Sequence, residues 1–218
     1  MILRMKKSFL IYASLALTLG FIPSELGSSS WGNNKINPIV LYNLQNNADR
    51  LEGRIKELER RRIARVNTIN RITSLIPRSE PYITTIMDAC ENDSIITPYH
   101  LAAVLNIENQ PWNPKAKSKK GAKGLGQLMN GTAREVGVRD SFNPTQNIFG
   151  SYIHLSNLMD RYNGNLVYAL AAYNAGSKHV DDWICNRKWR GEINRIPYKE
   201  TREHVKSVLS TLEYLSKI

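Results

Sequence analysis

Apolar residues recur at helical spacing in three stretches of the chain, and turn-forming residues separate them. In Thr97–Glu108 the stripe is Leu101, Val104, Leu105 and then Glu108, at i, i+3, i+4 and i+7. Thr97 suits an N-cap, Pro98 suits the first helical position, and Pro111 stops the helix. In Leu166–Gly176 the stripe is Leu166, Ala169, Leu170 and Tyr173, and Gly176 suits the residue that ends a helix. A third, more polar helix is predicted from Asn43 to about Ser74. There Leu44, Leu51 and Leu58 repeat every seven residues beside Leu41, Ala48 and Ile55, until Arg62 and Arg65 interrupt. Coiled coils this short are marginal, so the expectation is a monomeric helix or one packed on its neighbouring domain. Pro77 and Pro81 close this region.

Glu108 breaks its own pattern. A carboxylate on the core edge of a helix is costly unless it is paired, set in a cleft or protonated. A helix-end glutamate turned to solvent is the plain alternative. The adjoining residues weigh against it. From Asn109 to Arg134 there is no acidic residue, while Lys115, Lys117, Lys119, Lys120, Lys123 and Arg134 are basic. Within that stretch, Gly121, Gly124 and Gly126 imply backbone that approaches a ligand closely. The order is not that of a dinucleotide or phosphate loop, and no strand precedes it. A tyrosine on a helix core face, such as Tyr173, is ordinarily core with its hydroxyl bonded nearby.

Glu108-Asn109, Trp112-Asn113-Pro114, Ser118, Gly121 through Met129 and Gly131-Thr132-Ala133 together resemble the soluble lytic transglycosylase family. Asn147-Ile148 with Gly150, Ala169 through Gly176, and Ile196-Pro197-Tyr198-Lys199-Glu200-Thr201-Arg202 continue the match in order. The resemblance covers roughly residues 90 to 215. It implies a mainly α, lysozyme-like catalytic domain preceded by an N-terminal helical extension. It also implies cleavage of the β-1,4 bond between N-acetylmuramic acid and N-acetylglucosamine in peptidoglycan. Glu108 would be the catalytic acid/base, with Tyr173 bonding or positioning it. Ser118, Gln127, Met129 and Asn174 would line the sugar cleft.

The chemistry agrees with one carboxylate. A general acid must hold its proton near neutral pH, which an apolar setting favours. Most glycosidases need a second carboxylate. Here the next acids, Glu135 and Asp140, lie beyond the Gly-rich block. One suffices if the muramic acid's own C6 hydroxyl attacks C1, giving a 1,6-anhydro product, because an intramolecular attacker has a high effective concentration. A lysozyme-type hydrolase and a non-catalytic peptidoglycan-binding or scaffold protein are the competing readings. Three departures from the family pattern stand out. Asn109 replaces the usual serine, one extra residue sits between Glu108 and Trp112, and Gly126 replaces a methionine.

Composition extends the picture at the ends. The formal net charge is +11, of which residues 1–79 carry +8. Arg60, Arg61, Arg62 and Arg65 concentrate it, and such a run is ordinarily a solvated helix face. No interleaved aromatic or recognition motif supports nucleic-acid binding. Residues 1–30, with Arg4, Lys6, Lys7 and the uncharged run Phe9–Ile22, read as a signal peptide or N-terminal anchor. Residues 31–80 read as linker and basic helical segment, and 81–218 as the catalytic domain. The expected location is therefore exported, in the periplasm or cell envelope, with residues 43–74 a candidate docking element for an envelope protein. Cys90 and Cys185 flank the motif blocks and either pair in an oxidising compartment or stay free. The four histidines are scattered with no metal-ligand spacing, so neither a metal nor a cofactor is expected. His100 reads as incidental, and Glu200 with Arg202 as a semi-buried polar contact closing the domain.

Overall fold

A computed structural model describes residues 38–186 and 188–217. The signal-peptide reading and most of the linker lie outside them. The chain divides into a unit ending at Gly53 and a unit spanning Arg54–Ile218. The described part of the first is the opening of α1 (Pro38–Leu75), where Leu44 and Leu51 are exposed. In the second unit Leu58, Ile63 and Val66 of the same helix are exposed as well. Burial begins only with Ile69, Ile72, Leu75 and Ile76, which join the domain core. The heptad stretch is therefore a solvated helix, and its final turns belong to the domain. Arg71 secures them by donating from its guanidinium to the carbonyls of Leu215, Tyr214 and Lys217. Arg65 pairs with Asp88 at 2.6 Å.

The domain is built from helices. After a 3-10 turn at Pro77–Tyr82 come α2 (Ile83–Ala89), α3 (Pro98–Glu108), α4 (Asn130–Glu135), α5 (Pro144–Arg161), α6 (Leu166–Ala175), α7 (Ser177–Cys185), a 3-10 turn at Ile193–Arg195 and α8 (Lys199–Ser216). Among the described residues, extended pairing is limited to isolated bridges, Lys117 with Lys123 and Lys123 with Leu128. The expected mainly α class is the one observed.

α6 is the centre. Ala169, Leu170, Ala171 and Ala172 are all buried, as expected of a helix apolar on most sides. Its small side chains let α5, α7 and α8 pack against it. α3 lies against α8 and α2, with Leu101 through Leu105 wholly buried. His100 is not incidental: its Nδ1 accepts from the Thr97 N–H at 3.2 Å and completes a capping box at the start of α3. Behind α6, Tyr168, Trp183, Trp189 and Tyr198 pack edge to face. Cys90 and Cys185 are both free thiols, Cys90 buried and Cys185 exposed. Burial foremost, with Asp93 adding to it, pushes the Cys90 thiol up to about 12. No described helix is long and apolar enough to cross a membrane.

Candidate active site

Glu108 occupies the last turn of α3, its side chain 14 % exposed. The helix ends there because Asn109 leaves helical geometry at φ −147° while its N–H still closes the final turn onto Leu105 O. Asn109 is itself buried. Its Nδ2 donates to Asn113 O at 2.8 Å and to Gly124 O at 3.0 Å, and its Oδ1 accepts from the Asn113 N–H. The residue that departs from the family's serine thus latches the Gly-rich loop to the end of the helix that carries the acid.

The loop is gripped from below as well. Asn147, fully buried on α5, accepts from the Gly126 N–H at 2.7 Å and donates to Lys123 O and Ser141 O. The fit demands glycine. Gly124 has φ +78°, and a Cβ there would lie 2.3 Å from Asn147 Nδ2. A Cβ on Gly126 would lie 1.8 Å from Ser151 Oγ and 2.8 Å from Ser151 Cβ. The missing methionine is explained locally: Ser151 on α5 fills the space beside Gly126.

Tyr173, on α6, does not hydrogen-bond Glu108. Its hydroxyl donates to Gly126 O at 2.9 Å. Burial first, and the nearby Glu108 carboxylate second, push the phenol well above its ordinary range, so it stays protonated and remains a donor. His154 packs on the Tyr173 ring with centroids 4.9 Å apart, and burial lowers its pKa to about 4. The partner of Glu108 is His204 on α8, whose Nε2 lies 2.8 Å from Glu108 Oε1. His204 shares a buried stripe with Thr201, Val205 and Val208. Sequence reading missed it, although a titratable residue on an apolar stripe is the very signal that singled out Glu108.

The other expected site residues divide. Gln127 lies in the Gly-rich loop in a left-handed conformation (φ 47°), with Nε2 donating to Gly124 O at 2.8 Å. Met129 lies two residues on and is exposed. Ser118 is half-buried, and its Oγ accepts from the Ala122 N–H, shaping the turn before the loop. Asn174 is tied to α8, its Oδ1 accepting from Thr201 Oγ1 at 2.8 Å, so that oxygen serves packing. Arg202 makes the expected semi-buried closure by donating twice to Ile196 O. Glu200 does not take part: it is exposed and pairs with Lys120 at 3.3 Å. Beyond the loop is an open pocket of about 330 Å³, lined in part by Lys123, Arg134, Arg139 and Phe142. Among the described residues no cluster of metal-ligating side chains is found.

Glu108 is thus a nearly buried glutamate at a helix end, and the glycine loop is bonded both to the residue that follows it and to Tyr173. The family described as Transglycosylase SLT domain matches residues 86–196, and the chain belongs to it. Among curated relatives it is similar to the membrane-bound lytic murein transglycosylase F of Pseudoalteromonas translucida, at 31 % identity over 161 residues. That alignment covers 63 % of this chain and 33 % of the relative, so the chain spans about a third of the relative's length. Among solved structures it is similar to the lytic transglycosylase Slt of Pseudomonas aeruginosa, an inactive glutamate-to-glutamine mutant. There the identity is 31 % and the TM-score 0.53, over 61 % of this chain and 24 % of that one. A 70-kDa soluble lytic transglycosylase in complex with bulgecin A gives 29 % identity and TM-score 0.58, over 66 % and 25 %. The lysozyme-like class expected from sequence is the class of these neighbours.

Proposed function

We propose that the chain is a peptidoglycan lytic transglycosylase of the cell envelope, in which Glu108 alone serves as acid and then as base. The observation that carries this reading is the lone carboxyl. Glu108 ends the helix whose next residue, Asn109, is bonded to the loop, while three other acids are engaged elsewhere. Asp93 bonds Tyr152 and its own turn, Asp140 accepts from the Phe142 N–H, and Glu200 pairs with Lys120. None of these three is placed as the second carboxylate that two-carboxylate hydrolysis needs, which supports the single-acid reading.

In the proposed reaction Glu108 gives its proton to the glycosidic oxygen as the bond from that oxygen to C1 of the muramic acid breaks. The resulting carboxylate takes the proton of the same sugar's C6 hydroxyl. O6 then bonds C1, closing the 1,6-anhydro ring. No water is added, and the proton returns to Glu108 for the next cycle. The bond that holds Glu108 to His204 supports this, and an attacker within the substrate itself avoids the entropy of recruiting a nucleophile. The solved relative whose inactive form is a glutamate-to-glutamine mutant supports giving a glutamate the essential role. Names of relatives, which include a membrane-bound enzyme, support an envelope location.

The test is digestion of purified peptidoglycan by the protein and by Glu108→Gln, with products read by mass spectrometry. Muropeptides one water lighter than hydrolysed ones, absent with Glu108→Gln, are the expected outcome. Ordinary reducing ends would replace this reading by a hydrolase. Wall binding without release would replace it by a binding protein.

A further inference from the structure

We propose that His204 is a positioning residue for the acid: as the neutral tautomer protonated on Nε2, it donates to Glu108 Oε1 and leaves Oε2 as the oxygen that exchanges protons with the glycan. The inference rests on Glu108 being the acid/base and deepens that reading.

Three observations lead to it. The Nε2 to Oε1 distance is 2.8 Å, and the two side chains are only 7 % and 14 % exposed. At that burial the bond is held against little competition from water. The second ring nitrogen, Nδ1, is buried and has no hydrogen-bond partner. That asymmetry assigns the tautomer. An N–H buried without an acceptor is rarer and costlier than a bare lone pair. A proton on Nδ1 would be required if Glu108 donated to Nε2, and also if the ring were an imidazolium. The neutral ring protonated on Nε2 avoids both. Oε1 then accepts from histidine, and the proton needed for general acid catalysis resides on Oε2. The other polar neighbours do not compete for Oε1. Tyr173 donates to Gly126 O, and Asn109 is spent on Asn113 and Gly124. The ring is itself fixed, because α8 is anchored on both sides of it. Thr201 bonds Asn174 of α6, and Arg71 binds the carbonyls at the end of α8.

A group that only orients the carboxyl acts on the chemical step, not on glycan affinity. His204→Gln places an amide N–H near the position of Nε2, whereas His204→Phe keeps ring volume and removes the donor. The expected result is kcat within a few-fold of wild type for His204→Gln. For His204→Phe, kcat should fall about 10- to 100-fold with KM unchanged, the scale expected for a misplaced catalytic group. His204→Met serves if phenylalanine does not pack. Equal kcat in the glutamine and apolar variants at matched folding, or a change confined to KM, would overturn the proposal. A measurement on the unaltered chain is independent of variant folding: 15N shifts of the His204 ring should report the neutral form protonated on Nε2. The other tautomer, or the cation, would refute the donor assignment. The wild type and Glu108→Gln are run alongside. Absence of anhydro products from wild type would defeat the proposed function itself, a failure distinguishable from equal behaviour of the His204 variants.

Discussion

Gly126→Ala should be disproportionately damaging for a single methyl group, and the structure sets its size. The added Cβ would fall 1.8 Å from Ser151 Oγ and 3.0 Å from the Tyr173 hydroxyl. Rotating Ser151 clears its Oγ but not its Cβ, which stays 2.8 Å away on the backbone of α5. Loop or helix must move, and overpacking of this kind costs about 2 kcal/mol. For a domain of this size that lowers Tm by about 4–8 °C. Ser151→Gly alone should cost about 0.5 kcal/mol through helix propensity, besides the loss of the Ser151 hydroxyl's bond to Asn147 O. Combined with Gly126→Ala it removes the obstructing atoms, so the double variant should be more stable than the sum of the single losses by about 1 kcal/mol or more. Urea unfolding of the four proteins reads this directly. Additive losses would refute the claim that Ser151 excludes a side chain at position 126. Activity offers a second reading, because Gly126 O accepts the Tyr173 hydroxyl and a displaced loop disturbs both.

Asn109→Ala removes three hydrogen bonds at a buried site and should cost about 2–3 kcal/mol by thermal unfolding, while Asn109→Ser, too short to reach Gly124, recovers only part of that. His154 has a folded pKa of about 4 against an ordinary 6.5, so the unfolded chain binds the proton first on acidification. Stability from this group is complete above about pH 6.5 and lost as pH falls towards 4, by at most about 3 kcal/mol. His154→Gln should flatten that part of the urea-midpoint profile, and an unchanged profile would contradict it. An aromatic disulfide reagent should label Cys185 in the native protein and Cys90 only after unfolding, since the Cys90 thiol is buried and held protonated.

Glu108 is legible in the sequence because one helix carries a charge on its apolar stripe, and periodicity alone exposes that. Tyr173 is legible as a core-face tyrosine, but its acceptor is not. Gly126 O comes to it through the path of an irregular loop, which has no period to read. Asn109 and Gly126 look like departures in a sugar cleft. Both prove to be fitted to neighbours distant in sequence, Gly124 and Ser151, and only folding makes those pairs visible. His204 is open to the rule that finds Glu108, applied to the stripe of Thr201, Val205 and Val208. The end of α1 reads as lying outside the domain because its polar face dominates the sequence. Ile72 and Ile76 nevertheless join the core.

The bonds from Arg71 to the carbonyls that end α8 join segments about 144 residues apart. Closure over such a separation is slow, because the loop entropy is lost before the contact is made. A chain emerging from the ribosome makes Ile72 and Ile76 long before it makes the helix whose end Arg71 caps. Until α8 is made, His204 is missing too, so Glu108 has no such partner through most of synthesis. A half-made copy of this domain therefore lacks the Glu108–His204 pair, and its uncovered apolar turn is the kind of surface that chaperones shield.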